Sequence, residues 1–236
     1  MTALMKSRDH TSGLEISFQD EPLIIDPSGC VFWPDQHLLV VSDLHLEKGS
    51  SFASKRRTFL PPYDTQASLE KLAICIDRWQ PQTIISLGDS FHDQEASERL
   101  PQSYRLRLRQ MIEGREWLWI SGNHDPQPPK EVGGTFCTEA KIGALNFIHE
   151  PKPEFITGEI AGHLHPSARI VSRGKRLRRR CVAGDQKRII LPAFGTFTGG
   201  LDLSHSAFEG LFEPVNLKAW MLGQKDVYCI DASQLR

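Results

Sequence analysis

Five short clusters along the 236-residue chain carry side chains of the types that can ligate metal ions: Asp43-Leu44-His45, Gly88-Asp89, Gly122-Asn123-His124-Asp125, His149 and Gly162-His163-Leu164-His165. Asp43 and His45 are two residues apart, so in extended chain they share a side and can grip one ion; the same spacing relates His163 and His165. Asp89 offers two carboxylate oxygens, which suits it to bridge two cations, while Asn123 supplies a neutral amide oxygen and His149 an imidazole. Two carboxylates against two divalent ions leave a net charge of roughly +2, lowered to about +1 by a bridging hydroxide and still attractive to a phosphate. A nitrogen and oxygen set without thiolate fits manganese, zinc, iron or cobalt better than calcium or magnesium. Taken singly, each cluster has an ordinary reading as a solvated strand end, a turn, a helix cap or a satisfied histidine. All five occurring once, in order, each after an apolar run, is what points to one joint site.

Such clusters must be carried by elements that converge. Leu38 to Ser42, Thr83 to Leu87 and Trp117 to Ser121 are apolar runs of the kind found in a sheet covered on both faces. Between them, Leu69, Leu72, Ala73, Ile76 and Trp79 recur at helical intervals, with Asp64 or Thr65 as N-cap and Pro81 as the stop. Tyr104, Leu108, Met111 and Ile112 repeat the pattern before Gly114. The order predicts a βαβαβ unit with right-handed crossovers on a mainly parallel sheet, whose ligand-binding edge lies beyond the carboxyl ends of its strands. The second half is a succession of short β-rich segments: 135–138, 144–149, 154–161, 168–172, 177–183, 186–191 and 227–230. The expected architecture is a four-layer α/β/β/α sandwich of two mixed β-sheets, one α/β domain over residues 1–236.

The chain has 28 basic and 29 acidic residues, 39% hydrophobic and 24% charged, a globular composition that excludes a disordered or collagenous chain. No apolar run approaches a membrane span and the first dozen residues lack a secretory pattern, so a soluble cytoplasmic protein is expected. Five scattered cysteines suggest neither a disulfide framework nor a CxxC metal site and read as buried thiols. The net charge of -1 hides a segregation: residues 169–188 hold nine bases against one acid, and the remaining chain is net acidic. Arg178, Arg179 and Arg180 lie in this stretch. Two readings are open there, a surface that tracks a phosphate backbone and an edge hairpin whose arginines prevent sheet-to-sheet pairing. Lys48, Lys55, Arg56 and Arg57 form a second basic loop directly after Asp43 and His45, placed to clamp substrate. No aromatic and basic interleaving stands out near either cluster.

The ordered set D-x-H, G-D, G-N-H-D, H and G-H-x-H resembles the calcineurin-like metallophosphoesterase superfamily over Asp43 to His165. That resemblance implies that Asp43, His45 and His165 hold one metal, that Asn123, His149 and His163 hold the other, and that Asp89 bridges them. After Ser90, where the superfamily often has another acid, this chain has His92 followed by Asp93. The segments 46–53 (LEKGSSFA), 60–65 (LPPYDT) and 191–200 (LPAFGTFTGG) are similar to the bacterial ligase-associated DNA damage response endonucleases, from about Leu23 to Tyr228. This narrower resemblance implies a DNA repair role beside a DNA ligase and a helicase. The expected reaction is in-line attack on phosphorus by a hydroxide held between two ions about 3.5 to 4 Å apart. His124 is the candidate to protonate the leaving oxygen, with Asp125 orienting it. A hydrolase of small phosphorylated metabolites or nucleotides would share every ligand without needing an extended basic surface. A non-catalytic repair scaffold would be expected to have lost some of the ligand set.

Overall fold

The computed structural model describes residues 13–54, 63–125, 132–154, 156–172 and 174–235. The first sheet follows chain order: β1 (Leu14–Phe18), β2 (Glu21–Ile25), β3 (Val31–Trp33), β4 (Leu38–Val41), β5 (Thr83–Leu87), β6 (Glu116–Ile120) and β7 (Thr135–Cys137). The helices are α1 (Lys48–Ser54), α2 (Asp64–Trp79), α3 (Ala96–Arg99) and α4 (Gln102–Ile112). As the periodicity predicts, β4, β5 and β6 pair in parallel and β7 joins them in parallel. The other half of the sheet departs from expectation: β1, β2 and β3 add an antiparallel meander on the β4 edge. The sheet as a whole is mixed, as the expected architecture has it, with the parallel βαβαβ unit as one half.

The second sheet comprises β8 (Glu139–Ile142), β9 (Leu145–Ile148), β10 (Glu159–Ala161), β11 (Pro166–Ser172), β12 (Lys175–Gly184), β13 (Arg188–Ile190), β14 (Leu201–Asp202), β15 (Lys218–Leu222) and β16 (Val227–Asp231). It runs β14-β11-β12-β13-β10-β9-β8, with β15 and β16 reached through β12. The segment expected over 154–161 is strand only from Glu159, and β15 was not foreseen. β12 is long enough to serve two neighbourhoods. Its first half pairs with β11 and its second half with β13 and β15.

Alternation within the apolar runs explains why they carry no polar face. Leu38, Val40 and Ile85 point between the sheets, against Phe147, Ile160, Val182 and Trp220. Leu39, Val41 and Ile84 point the other way, against Leu69, Leu72, Ile76 and Trp79 of α2. Burying each such side chain contributes about 1.5 to 3 kcal/mol. The sandwich of two sheets stands as expected. Over the second sheet, the outer layer among the described residues is irregular chain around Phe208, Leu211 and Phe212 rather than an α-helix.

The start of α2 also differs from its expected cap. Tyr63 occupies the N-cap position without a side-chain hydrogen bond. Asp64 and Thr65 instead face α1: Asp64 Oδ2 accepts from the Gly49 amide at 3.0 Å, and Thr65 Oγ1 from the Glu47 amide at 2.8 Å. The helix ends at Trp79, with Gln80 left-handed (φ 44°) just before Pro81.

Beneath the second sheet, Arg188 is 1% exposed and its Nε donates to the fully buried Glu159. Its Nη1 donates to Leu211 O at 3.0 Å and its Nη2 to Glu154 O at 3.0 Å. Arg188→Met, which strands the Glu159 carboxylate, should therefore cost about 3 to 5 kcal/mol in urea denaturation, and adding Glu159→Leu should restore most of it. A loss well under 1 kcal/mol for the single change would show that the pair does not hold this region together.

Candidate metal centre

The candidate ligands sit where β4, β5, β6, β9 and β10 end, so two sheets contribute to one edge. The local backbone there is bent. Asp43, His45, Asp89, His163 and His165 all have positive φ, between 43° and 67°. Residues with a Cβ adopt this region at an energetic cost, and such strain collects at functional sites. Two glycines permit the crowding: a Cβ on Gly122 would overlap Asp89, and one on Gly162 would overlap Ser42 and press on Asp43 Oδ2.

Ligand atoms gather in two triads, each with all its members within 4.8 Å: Asp43, His45 and His165, and Asp89, His149 and His163. His163 and His165 therefore separate, one to each triad. The spacing argument that put them on one ion fails because both are left-handed rather than extended. Asp43 and His45 do meet, by the same bent backbone and not by strand alternation. Within the second triad His149 Nε2 lies 3.5 Å from Asp89 Oδ2, and across to the first triad His149 Nδ1 lies 4.0 Å from Asp43 Oδ1. His163 Nδ1 is 3.2 Å from His149 Nε2.

Several of these atoms are buried with no hydrogen bond, namely Asp43 Oδ1, His45 Nδ1 and His165 Nε2. Asp43 Oδ1 and His165 Nε2 are 3.0 Å apart, yet not aligned for a hydrogen bond, as expected of groups aimed at a common point. Polar atoms that are buried and unpaired need a partner, and a divalent cation fits this donor set. Other bonds fix the ligands. His149 Nδ1 faces Leu87 O at 2.8 Å, so this nitrogen carries the hydrogen and Nε2 is left for the triad. Asp43 Oδ2 accepts from Ser42 Oγ and from the His163 amide.

Electrostatics agree. Burial alone would raise the Asp43 carboxyl, but His165, His149 and His45 together hold it below the usual carboxylate range. Asp89 is likewise lowered: burial opposes this, and His149 overcomes it. Burial would lower His149, yet Asp89 and Asp43 raise it to about 9. Burial depresses His45 to about 3. Asn123 is exposed at the next position to His124, whose amide donates to Asp89 Oδ1 at 2.8 Å.

His124 stands above this buried set with 47% of its side chain exposed, its Nε2 4.0 Å from Asp89 Oδ2. Its Nδ1 faces the His92 carbonyl at 2.8 Å, and the two rings stack at 5.3 Å. Asp125 does not orient it. The Asp125 Oδ2 accepts from the amides of Ser90 and Phe91 at 2.7 and 3.0 Å, while burial pushes its carboxyl up to about 7. Asp125 therefore shapes the Gly88-Asp89 loop, and the backbone carbonyl of His92 takes the orienting position. His92 was singled out in the sequence without a role. Asp93 accepts from Ser51 Oγ at 2.6 Å and Arg99 Nη2 at 2.7 Å, and so braces α1 against α3.

The basic candidates divide. Lys55, Arg56 and Arg57 lie outside the described residues. Lys48 Nζ donates to Phe197 O at 3.3 Å. Arg180 is bound to Ala193 O at 2.8 Å, and Arg178 to Ser167 Oγ at 3.0 Å and to Gly200 O. Arg179 is exposed. The thiols are also less uniform than expected: Cys30, Cys75 and Cys181 are buried, Cys137 is half-buried and Cys229 exposed. Cys30 and Cys75 meet Asp26 in a third cluster, which sequence spacing gave no means of finding.

A family described as calcineurin-like phosphoesterase matches residues 37–195. Among solved structures, the Pseudomonas putida nuclease MPE is similar at TM-score 0.70 and 23% identity, covering 92% of this chain and 100% of that one. Yfce, a phosphoesterase from E. coli, aligns at TM-score 0.40 and 12% identity over 83% of this chain and 98% of that one. No curated protein matches the chain.

With no cation bound, His149 keeps a proton at every pH below about 9. Loading the metal-free protein with manganese at pH 7 should expel that proton, so affinity should rise with pH toward 9, about tenfold per unit for one displaced proton. Calorimetric titration in buffers of different ionisation enthalpy measures the release; heats independent of buffer would remove His149 from the ligand set.

Proposed function

The chain belongs to the calcineurin-like phosphoesterase family, and from that premise we propose that this metal-dependent phosphoesterase is an endonuclease that hydrolyses DNA phosphodiester bonds at a two-cation centre. The observation that carries the reading is the pair of facing triads with His124 exposed above them. Asp43, His45 and His165 would hold one cation and Asn123, His149 and His163 the other, with Asp89 between. Manganese suits the mixed donors, as do zinc, iron and cobalt. Divalent cations there supply Lewis acidity to the phosphoryl oxygens and lower the pKa of water.

The chain's own groups do the rest. The His92 carbonyl accepts from His124 Nδ1, so Nε2 is the nitrogen free to carry a proton to the leaving oxygen. The Leu87 carbonyl holds His149 in the orientation that turns Nε2 inward. Asp125, bound to the amides of Ser90 and Phe91, fixes the loop that presents Asp89.

Supporting nucleic acid, β11 begins at Pro166, immediately after His165, so the β11-β12 hairpin grows straight out of the centre. Its exposed Lys175, Arg176 and Arg179, with Lys48 on α1, offer cations to a phosphate backbone. The likeness of segments 46–53, 60–65 and 191–200 to repair endonucleases supports a role in DNA repair, beside a ligase and a helicase. One observation favours a small phosphorylated metabolite instead: Arg178 and Arg180 are committed to main-chain carbonyls.

Two experiments separate these readings. With manganese, circular single-stranded DNA should be linearised, and the rate should fall steeply between 50 and 200 mM salt, whereas hydrolysis of a small phosphodiester should barely change. Circles left intact while the small diester is split would favour the metabolite. His124→Ala should lower kcat about 10²- to 10⁴-fold with roughly two metals per chain retained. Loss of both metals in that variant would make His124 structural.

A further inference from the structure

Resting on the nucleic-acid reading above, we propose that Phe197 is the platform on which a nucleobase of the substrate strand stacks while the neighbouring phosphodiester lies at the two triads.

Phe197 sits midway along a loop whose two ends are fastened to the two ligand segments. At one end the Phe194 amide donates to Ser42 O at 2.7 Å and the Gly195 amide to Asp43 O at 3.1 Å. At the other, the Leu201 amide donates to His165 O at 3.1 Å. The loop is thus anchored at both ends on the backbone of the segments that carry Asp43 and His165, with Phe197 two residues from the Gly195 anchor and four from the Leu201 anchor.

That residue is an unusual choice. The residue is 54% exposed, and its backbone holds a left-handed φ of 58°, a region that bulky residues avoid. Glycine would fit the backbone better, and a polar residue would fit the surface better. An exposed ring kept at a strained position needs a reason outside folding.

The surroundings indicate what the ring meets. Arg180 donates to the carbonyl of Ala193, Lys71 to that of Phe194, Lys48 to that of Phe197 and Arg178 to that of Gly200, so four basic side chains from α1, α2 and β12 brace one loop. Lys48 bonds the carbonyl of Phe197 itself at 3.3 Å and retains further N–H groups for phosphate. A second exposed ring, Tyr63, is 63% accessible and adjoins Asp64, whose carbonyl accepts from Thr196 Oγ1 at 2.8 Å. Aromatic faces among cations are how single strands are bound without sequence preference, because every base presents a π-face. No run of sequence interleaves these residues; the fold brings them together from positions 48, 63, 178 and 197.

The test compares kcat/KM for a single-stranded oligonucleotide with that for an abasic strand of the same length, each with manganese. In Phe197→Ala and in Phe197→Gly, which relieves the positive φ, the ratio of base-bearing to abasic cleavage should fall about 5- to 150-fold, mainly through KM. Phe197→Trp should keep the ratio at or above that of the parent. A ratio unchanged in both small variants overturns the proposal while the nuclease reading stands, as does an equal loss on both strands, which marks a merely structural loop. A parent protein that splits a small phosphodiester but no oligonucleotide overturns the nuclease reading and this proposal with it.

Discussion

Two buried carboxylates, Asp43 and Asp89, share one enclosure at the edge of the sandwich, and the need to compensate their charge governs everything around them. Negative charge cannot be taken from water without a partner. In the metal-free chain the compensation comes from imidazoles, with His149 held protonated up to about pH 9 between the two acids. Cations bound at the two triads would replace that proton with larger charge, and the same enclosure would then draw in a phosphate. Charge balance thus links the ligand chemistry to the substrate class.

Holding such groups together demands a rigid and strained frame. Five of the seven candidate ligands have left-handed backbone, and glycines at 122 and 162 let strand ends approach more closely than any other residue allows. The strain is sustained because the strands that end there are locked from both sides. Leu38 and Val40 pack into the space between the sheets, while Leu39 and Val41 pack under α2. A third source of rigidity is polar. Glu47, Asp64, Thr65, Ser68 and Thr196 link α1, the first turn of α2 and the 193–200 loop.

Much of this was legible in the sequence, for identifiable reasons. The apolar runs ending in Asp-Leu-His, Gly-Asp and Gly-Asn-His-Asp read as parallel strands because strands covered on both faces have no polar side to conceal their period. The six residues that the two triads bring together were legible as candidates because each follows such a run, whereas Asn123, the seventh candidate, belongs to neither triad. The meander of β1 to β3 escaped because its strands are only three to five residues long, and a single βαβαβ unit already accounted for the apolar runs. The division of His163 from His165 was beyond any spacing rule, since it depends on φ at two residues. Asp125 was read as the partner of its chain neighbour, whereas its carboxylate turns back to the amides of Ser90 and Phe91. For the arginines of β12 the sequence left open a phosphate-tracking surface and a protected edge hairpin; the strand's alternation and the carbonyls of the 193–200 loop divide them, with Arg178 and Arg180 bound to the loop and Arg179 exposed.

The most direct test of the account is anomalous diffraction from crystals of the manganese-loaded protein. It predicts two peaks, one bounded by Asp43, His45 and His165 and the other by Asp89, His149 and His163. Peaks elsewhere, or none at these triads, would contradict it.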